Sequence, residues 1–201
     1  MKLADTLPYR IRVGRKTYRL KPDFRNVLRM FDILQDKSLT EQARIYLAVN
    51  CIVKRPPRDI KQQLVVFLLA RETIMQPKKQ HHGNAEKITD VDQDADMIRA
   101  AFRQAYGIDL YRAKLHWQEF TELLNNLPDG TRYANIIDIR TKPLPEATKW
   151  TGKQRQALIE AKMKFALNKT EDEVKKSYKQ GVSMLANSLL MMANKGGGDD
   201  V

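Results

Sequence analysis

The sequence predicts a mainly α-helical fold. In it an N-terminal two-stranded hairpin packs on a multi-helix bundle, and a C-terminal amphipathic helix precedes a flexible tail. Apolar residues alternate with basic ones over residues 9–21, and from residue 24 onward they recur every three or four positions. With 201 residues, 42% of them hydrophobic, the chain is large enough to bury a core of its own.

The hairpin is predicted from two alternating segments on either side of a turn at Gly14. Period-two alternation places on one face the side chains of Tyr9, Ile11, Val13, Tyr18 and Leu20. The other face carries the basic side chains of Arg10, Arg12, Arg19 and Lys21. Because a hairpin is only marginally stable alone, we expect its apolar face to lie on the helices that follow.

Three helices are predicted directly after the hairpin. The first begins after Pro22–Asp23 and ends near Asp36, with its apolar stripe at Phe24, Val27, Leu28, Phe31 and Leu34. The second begins at Ser38, as N-cap, or at Thr40, and turns inward Ile45, Ala48 and Ile52. The third covers about residues 58–75 and presents to the core Ile60, Leu64, Phe67 and Leu68.

Helical patterning resumes after a polar loop at residues 76–90. A helix containing Ile98 and Phe102 ends at Gly107, and a strongly amphipathic helix is predicted from about Tyr111 to Leu127. Residues 131–141 favour a short helix, although their isoleucines fit a strand equally well. Two further helices are predicted over residues 151–167 and 171–193, the second capped by Thr170. We therefore predict a hairpin and helical core domain at 1–142, a linker at 143–150, C-terminal helices at 151–193 and a disordered tail at 194–201.

The net charge of +12 is unevenly distributed. Residues 1–60 hold 14 Lys+Arg against 6 Asp+Glu, residues 61–130 are nearly neutral, and residues 131–201 are again basic. A basic chain of this kind fits either nucleic acid or an acidic protein partner. The hairpin offers the nucleic-acid candidates Arg10, Arg12, Arg15, Lys16, Arg19 and Lys21, but its tyrosines are predicted on the opposite face, which favours a solvated or protein-docking surface.

The predicted C-terminal helix carries more apolar surface than one face needs. Methionine-rich helices adapt to irregular apolar partners, so its candidate partner-binding residues are Met184, Leu185, Leu189, Met191 and Met192. The alternative, that this helix simply covers the core, is equally compatible with the pattern.

No catalytic, metal or cofactor motif is found in the sequence. The alternating acids Asp90, Asp92, Asp94 and Asp96 begin like a calcium loop, but alanine stands where that loop needs its glycine and its closing glutamate. The three histidines lack the cysteine pattern of a zinc site, and Cys51 sits among apolar residues as a reduced core cysteine would. We expect a non-enzyme without cofactor or metal. No apolar run has the roughly 18 residues of a membrane span, and the N-terminus lacks the pattern of a cleaved signal peptide.

The middle of the chain resembles a family from long-tailed bacteriophages. The resemblance lies in the order and spacing of Asp94-Ala95, Ile98, Phe102, Tyr106-Gly107-Ile108-Asp109-Leu110, Leu115-His116-Trp117, Phe120, Leu123-Leu124, Leu127-Pro128 and Ile136-Ile137-Asp138-Ile139-Arg140. These residues are similar to the gene-product-fifteen family of phages that infect Gram-positive hosts, and the resemblance extends over about residues 8–168.

The resemblance implies a tail assembly chaperone. Such a protein binds the tape measure protein in the host cytoplasm during tail assembly and is absent from the mature virion. The tail tube protein, a second tail chaperone and a second copy of the chain are further candidate partners. No catalytic residue is implied. The alternative function, drawn from the charge pattern, is a phage nucleic-acid-binding protein that uses the basic hairpin.

Overall fold

A computed structural model describes residues 4–76, 88–146 and 152–168. Within them lie two strands and seven helices, so the predicted mainly helical class with its N-terminal hairpin is confirmed. The chain divides into two compact units, one made of Met1–Glu86 and Asp94–Asp138, the other of Lys87–Gln93 and Ile139–Val201. The predicted domain limits stay predictions, and the predicted helix at 171–193 and tail at 194–201 lie outside the described residues.

The hairpin pairs β1 (Arg10–Val13) with β2 (Lys16–Arg19) around a left-handed Gly14. The antiparallel register places Ile11 opposite Tyr18 and Arg10 opposite Arg19. Ile11 and Leu20 are buried as the alternation predicts. Tyr9 is not: it is 55% exposed, and its ring lies edge-on to His116 at 5.4 Å between centroids.

The first two helices of the unit are α1 (Phe24–Gln35) and α2 (Glu41–Ile52). Asp23 caps α1 by accepting the Arg25 amide at 3.0 Å, and Thr40 caps α2 by accepting the Ala43 amide at 3.3 Å. The predicted Ser38 cap is wrong. The Ser38 hydroxyl and amide instead donate to the Asp36 carboxylate at 2.6 and 2.8 Å, and these hydrogen bonds lower the Asp36 pKa.

The third helix, α3 (Ile60–Met75), begins two residues later than predicted because Asp59 caps it. The predicted inward face is wrong except at Phe67. The buried side of α3 consists of Gln63, Val66, Phe67, Ala70 and Ile74, whereas Ile60, Leu64 and Leu68 are exposed. Apolar residues lie almost all round this helix, so periodicity alone did not determine which of its sides faces the core.

The main core of this unit lies where the hairpin meets the first three helices. It contains Ile11, Leu20, Val27, Met30, Ala48, Val49, Ile52, Val53, Val66, Phe67, Ala70 and Ile74. Two backbone hydrogen bonds add to this packing. The Lys21 amide donates to the Ile52 carbonyl at 2.7 Å, and the Lys54 amide donates to the Arg19 carbonyl at 2.9 Å. The hairpin is therefore joined to the end of α2, as its instability in isolation requires.

The second half of the unit contains α4 (Ala95–Tyr106) and α5 (Trp117–Asn125). Gly107 ends α4 in a left-handed conformation with φ 67°, as its position in the sequence predicts. The predicted helix from Tyr111 is wrong in its first half. After one turn at Asp109, the chain has no regular secondary structure up to His116, which caps α5.

Tertiary contacts explain why α5 starts late. The carbonyls of Leu110 and Ala113 accept hydrogen bonds from the Arg25 guanidinium at 2.7 and 2.8 Å. The Trp117 amide donates to the Pro22 carbonyl at 2.8 Å. In a continuous helix these groups would bond to residues four positions away along the same helix. The segment has thus exchanged helical hydrogen bonds for bonds to the start of α1.

The last helix that begins in this unit is α6 (Arg132–Thr141), in which Tyr133 and Ile136 are buried. The structure therefore selects helix over strand for residues 131–141. The other unit contains α7 (Gly152–Lys164), in which no side chain is buried. There the Arg140 guanidinium donates to the carbonyls of Phe165 at 2.7 Å and Ile88 at 3.1 Å. Throughout residues 4–76, 88–146 and 152–168, no helix combines the length and apolar content needed to cross a membrane.

His116 is buried and neutral in this arrangement. Its Nδ1 accepts the Gln118 amide at 3.1 Å, and its Nε2 lies 3.2 Å from the Pro8 carbonyl, so Nε2 holds the proton. Burial lowers the His116 pKa, against the opposing effects of the Pro8 hydrogen bond and the nearby Glu119. A second proton would have to occupy Nδ1, the atom that accepts the hydrogen bond from the Gln118 amide and so caps α5.

This geometry predicts a loss of stability in mild acid. Since the folded pKa lies below the unfolded value of 6.5, the unfolded chain binds more protons as the pH falls. His116 therefore contributes its full stability above pH 6.5, and that contribution falls as the pH drops through the folded pKa. We expect urea midpoints measured from pH 7.5 to 5 to fall more steeply for the natural chain than for His116→Asn, which caps without titrating. Equal slopes would contradict this role.

Candidate partner-binding face

One side of α3 exposes an apolar surface that the described residues of the unit leave uncovered. It consists of Ile60, Leu64, Val65 and Leu68, whose side chains are 40–53% exposed, and we call these four residues the α3 face. Ile60, Leu64 and Leu68 follow one another at intervals of four residues and so form a line along the helix. Contiguous exposed apolar surface of this kind is typical of protein-interaction sites.

The rotation of α3 is determined by its buried side. Phe67 and Ile74 pack into the core, and the Gln63 amide donates to the Pro57 carbonyl at 2.8 Å. At about 100° per residue, the line of Ile60, Leu64 and Leu68 then lies about a quarter turn from the buried side. The packing that stabilises the unit therefore also holds the α3 face toward solvent.

Charged side chains border this apolar surface. Lys61 and Arg71, which share its part of the helix circumference, are both exposed. Tyr46 and Leu47 of the neighbouring helix α2 are exposed apolar residues as well. Glu72, one turn beyond the apolar line, is exposed as well. An apolar line with charged borders suits an amphipathic helix, whose own apolar residues recur at the same helical spacing and whose flanks are charged.

The other predicted site residues have different locations. Arg10, Arg12 and Arg19 are exposed on the solvent side of the hairpin. Lys21 is not free beside them, because its ammonium donates to the Asn50 carbonyl and its side chain is half-buried. The candidate partner-binding residues of the C-terminal segment, Met184, Leu185, Leu189, Met191 and Met192, lie outside the described residues.

The cysteine and the acidic segment that could carry chemistry instead have environments typical of structural residues. Burial raises the pKa of the half-buried Cys51 thiol, which disfavours the reactive thiolate. Asp94, from the acidic segment, is buried at the start of α4, and the Asp90 carboxylate accepts the amides of Asp92 and Gln93, both at 3.0 Å. Among the described residues, no three His, Cys, Asp or Glu side chains are grouped so that they could hold a metal ion.

Sequence reasoning assigned most of the α3 face to the core and so missed it. One signal was available, since α3 has more apolar residues than a one-sided surface helix needs. That surplus indicates two apolar faces on α3, but it does not indicate which of them packs against the core.

Comparison with known proteins agrees with the resemblance found in the sequence. No curated protein and no solved structure matches the chain. Residues 3–167 match a family model described as Bacteriophage Gp15 protein, and this range includes the hairpin and all seven described helices. The chain therefore belongs to the bacteriophage Gp15 protein family.

Proposed function

We propose that this phage protein is a tail assembly chaperone that binds the tape measure protein while the tail is built. In this proposal it acts in the cytoplasm of a Gram-positive host, catalyses no reaction and is absent from the mature virion. The observation that carries the proposal is the α3 face, an exposed apolar line on a helix held rigid by the core of its unit.

The chemistry of the partner explains why such a surface is useful. A tape measure protein is a very long, largely helical chain whose apolar stripe aggregates when it is not yet covered by tube subunits. A chaperone for it has to cover short apolar segments reversibly. Ile60, Leu64 and Leu68 span nine residues of helix, or roughly 12 Å between the first and the last, which matches about two turns of a partner helix.

Nucleic-acid binding by the hairpin is the second candidate. The exposure of Arg10, Arg12 and Arg19 favours it. Against it, Tyr18 lies half-buried on the face opposite the arginines, and Lys21 already donates to Asn50. Tyr9, the exposed tyrosine of the hairpin, already packs its ring against His116 at 5.4 Å between centroids. Neither ring is thus fully free to stack on a base beside the charges.

Co-expression with the tape measure protein of the same phage tests the proposal. We expect the natural chain to keep the tape measure protein in the soluble fraction and to co-purify with it. The double variant Leu64→Glu/Leu68→Glu should weaken binding about ten-fold or more, because carboxylates would have to be desolvated in an apolar contact.

The matched control is Gln42→Glu/Gln62→Glu, which adds the same two charges at exposed positions of α2 and α3 outside the α3 face. We expect it to behave like the natural chain. If the tape measure protein precipitates equally with and without this chain, the chaperone proposal is wrong. If both double variants bind equally well, the α3 face is not the binding surface.

A further inference from the structure

The outer edge of β2, on the side away from β1, offers backbone N–H and C=O groups for hydrogen bonding. The Leu20 amide donates to the Tyr9 carbonyl at 2.9 Å. Because backbone groups alternate in an antiparallel ladder, the N–H and C=O groups of Tyr18 and Lys16 also point toward β1. Thr17 and Arg19 then direct their N–H and C=O groups away from β1. The Arg19 carbonyl agrees with this, because it accepts the Lys54 amide at 2.9 Å on the outer side.

Pro56 explains why this outer pairing stops before Thr17. Leu20 forms a bridge with Val53, and Arg19 lies opposite Lys54, so the same antiparallel register would place residue 56 opposite Thr17. Proline has no N–H to donate, and Pro56–Pro57 leads the chain away instead. Within the described part of the chain, no backbone group therefore occupies the outer side of Thr17.

A basic pocket lies at this open edge. Its volume is about 440 Å³, and its lining consists of Lys16, Thr17, Tyr18, Arg19, Lys54 and Arg55. Four of these six residues are cations, and among the described residues none of the four forms an ion pair. Arg10 lies directly opposite Arg19, a like-charge pair that costs stability unless an anion offsets it.

We propose that this open edge of β2 binds an acidic polypeptide segment in extended conformation, which adds to the hairpin as a third strand. The segment's backbone would donate to the Thr17 carbonyl and accept from the Thr17 amide. Its carboxylates would contact Arg19 and Lys54, which lie opposite each other, whereas Lys16, on the other face of β2, and Arg55 would attract them at longer range. A peptide fits this site better than nucleic acid, because a phosphate accepts from the Thr17 amide but leaves its carbonyl without a donor. This site does not depend on the α3 face or on the identity of the partner bound there.

The probe that tests this site is a synthetic peptide of about six residues in which glutamate and valine alternate. We expect saturable binding by calorimetry, with slowed hydrogen exchange at the Thr17 amide. The variant Lys54→Glu/Arg55→Glu should weaken binding about ten-fold or more, since it reverses two of the four charges. The matched variant Lys114→Glu/Arg132→Glu reverses two exposed charges elsewhere in the unit and should change affinity less than about two-fold.

Two further probes separate strand addition from simple charge attraction. A peptide with proline in place of each valine keeps the charge but loses half of its amide donors, and it should bind at least about ten-fold more weakly. Equal binding of the two peptides, or equal losses in the two charge-reversal variants, would overturn the proposal. So would failure of the acidic peptide to bind while duplex DNA binds and is lost in Lys54→Glu/Arg55→Glu, in which case the pocket is a phosphate site.

Discussion

Phe120→Ala is expected to lower the free energy of unfolding by about 3–5 kcal/mol. Phe120 is 1% exposed and lies at the centre of an aromatic cluster. Its ring stacks on Phe24 at 4.6 Å and on Phe102 at 5.5 Å between centroids, and lies 5.9 Å from Trp117. These partners come from α1, α4 and α5, so truncation leaves a cavity where three helices meet. Urea unfolding followed by circular dichroism measures the loss.

Tyr46→Ala is the matched control for this truncation. Tyr46 is 53% exposed on α2, and its removal should change the free energy of unfolding by less than about 1 kcal/mol. If Phe120→Ala costs no more than Tyr46→Ala, the aromatic cluster does not contribute to stability in the way its geometry indicates.

Arg25→Ala is expected to cost about 2–3 kcal/mol, because charged hydrogen bonds are lost and two carbonyls lose their donor. The Arg25 guanidinium bonds to the carbonyls of Leu110 and Ala113 and contacts the Asp23 carboxylate at 3.4 Å. Removing it also releases the non-helical segment before α5. Amide hydrogen exchange over residues 108–117 should therefore accelerate more than exchange in α2.

Two variants control for this effect. Arg25→Lys keeps the charge, but its single ammonium cannot replace both Nη2, which bonds to the two carbonyls, and Nη1, which contacts Asp23, and we expect an intermediate loss. Arg29→Ala removes an exposed arginine from the same helix and should change stability by less than about 0.5 kcal/mol. Equal losses in Arg25→Ala and Arg29→Ala would show that the bonds to Leu110 and Ala113 contribute nothing measurable.

Local patterns predicted those elements whose signals are local. The turn at Gly14, the start of α1 after Asp23 and the end of α4 at Gly107 each depend on one or two residues with a strong backbone preference. The N-cap of α2 shows the limit of this reasoning. Ser38 and Thr40 both suit a cap, and the nearby Asp36 decided between them by accepting the Ser38 hydroxyl.

The candidate binding surface was predicted less well than the fold. The basic face of the hairpin followed from alternation at Arg10, Arg12 and Arg19, but Lys21 lies beyond the paired strand and is captured by Asn50. The α3 face could not be assigned from the sequence, because Leu64 and Phe67 are equally apolar and only contacts with α2 and the hairpin distinguish them.

By itself, the sequence determined the helical class, the hairpin with its basic solvent side, most helix limits and the phage family, since all of these depend on the order and spacing of residues along the chain. Tertiary structure alone decided the rotation of α3, the late start of α5 and the open edge of β2. Each of these depends on a partner distant in sequence: the core beneath Phe67, the Arg25 guanidinium at Leu110 and Ala113, and the chain that turns away from Thr17 at Pro56. Periodicity records that a residue is apolar or polar, whereas packing decides which of several suitable partners it contacts.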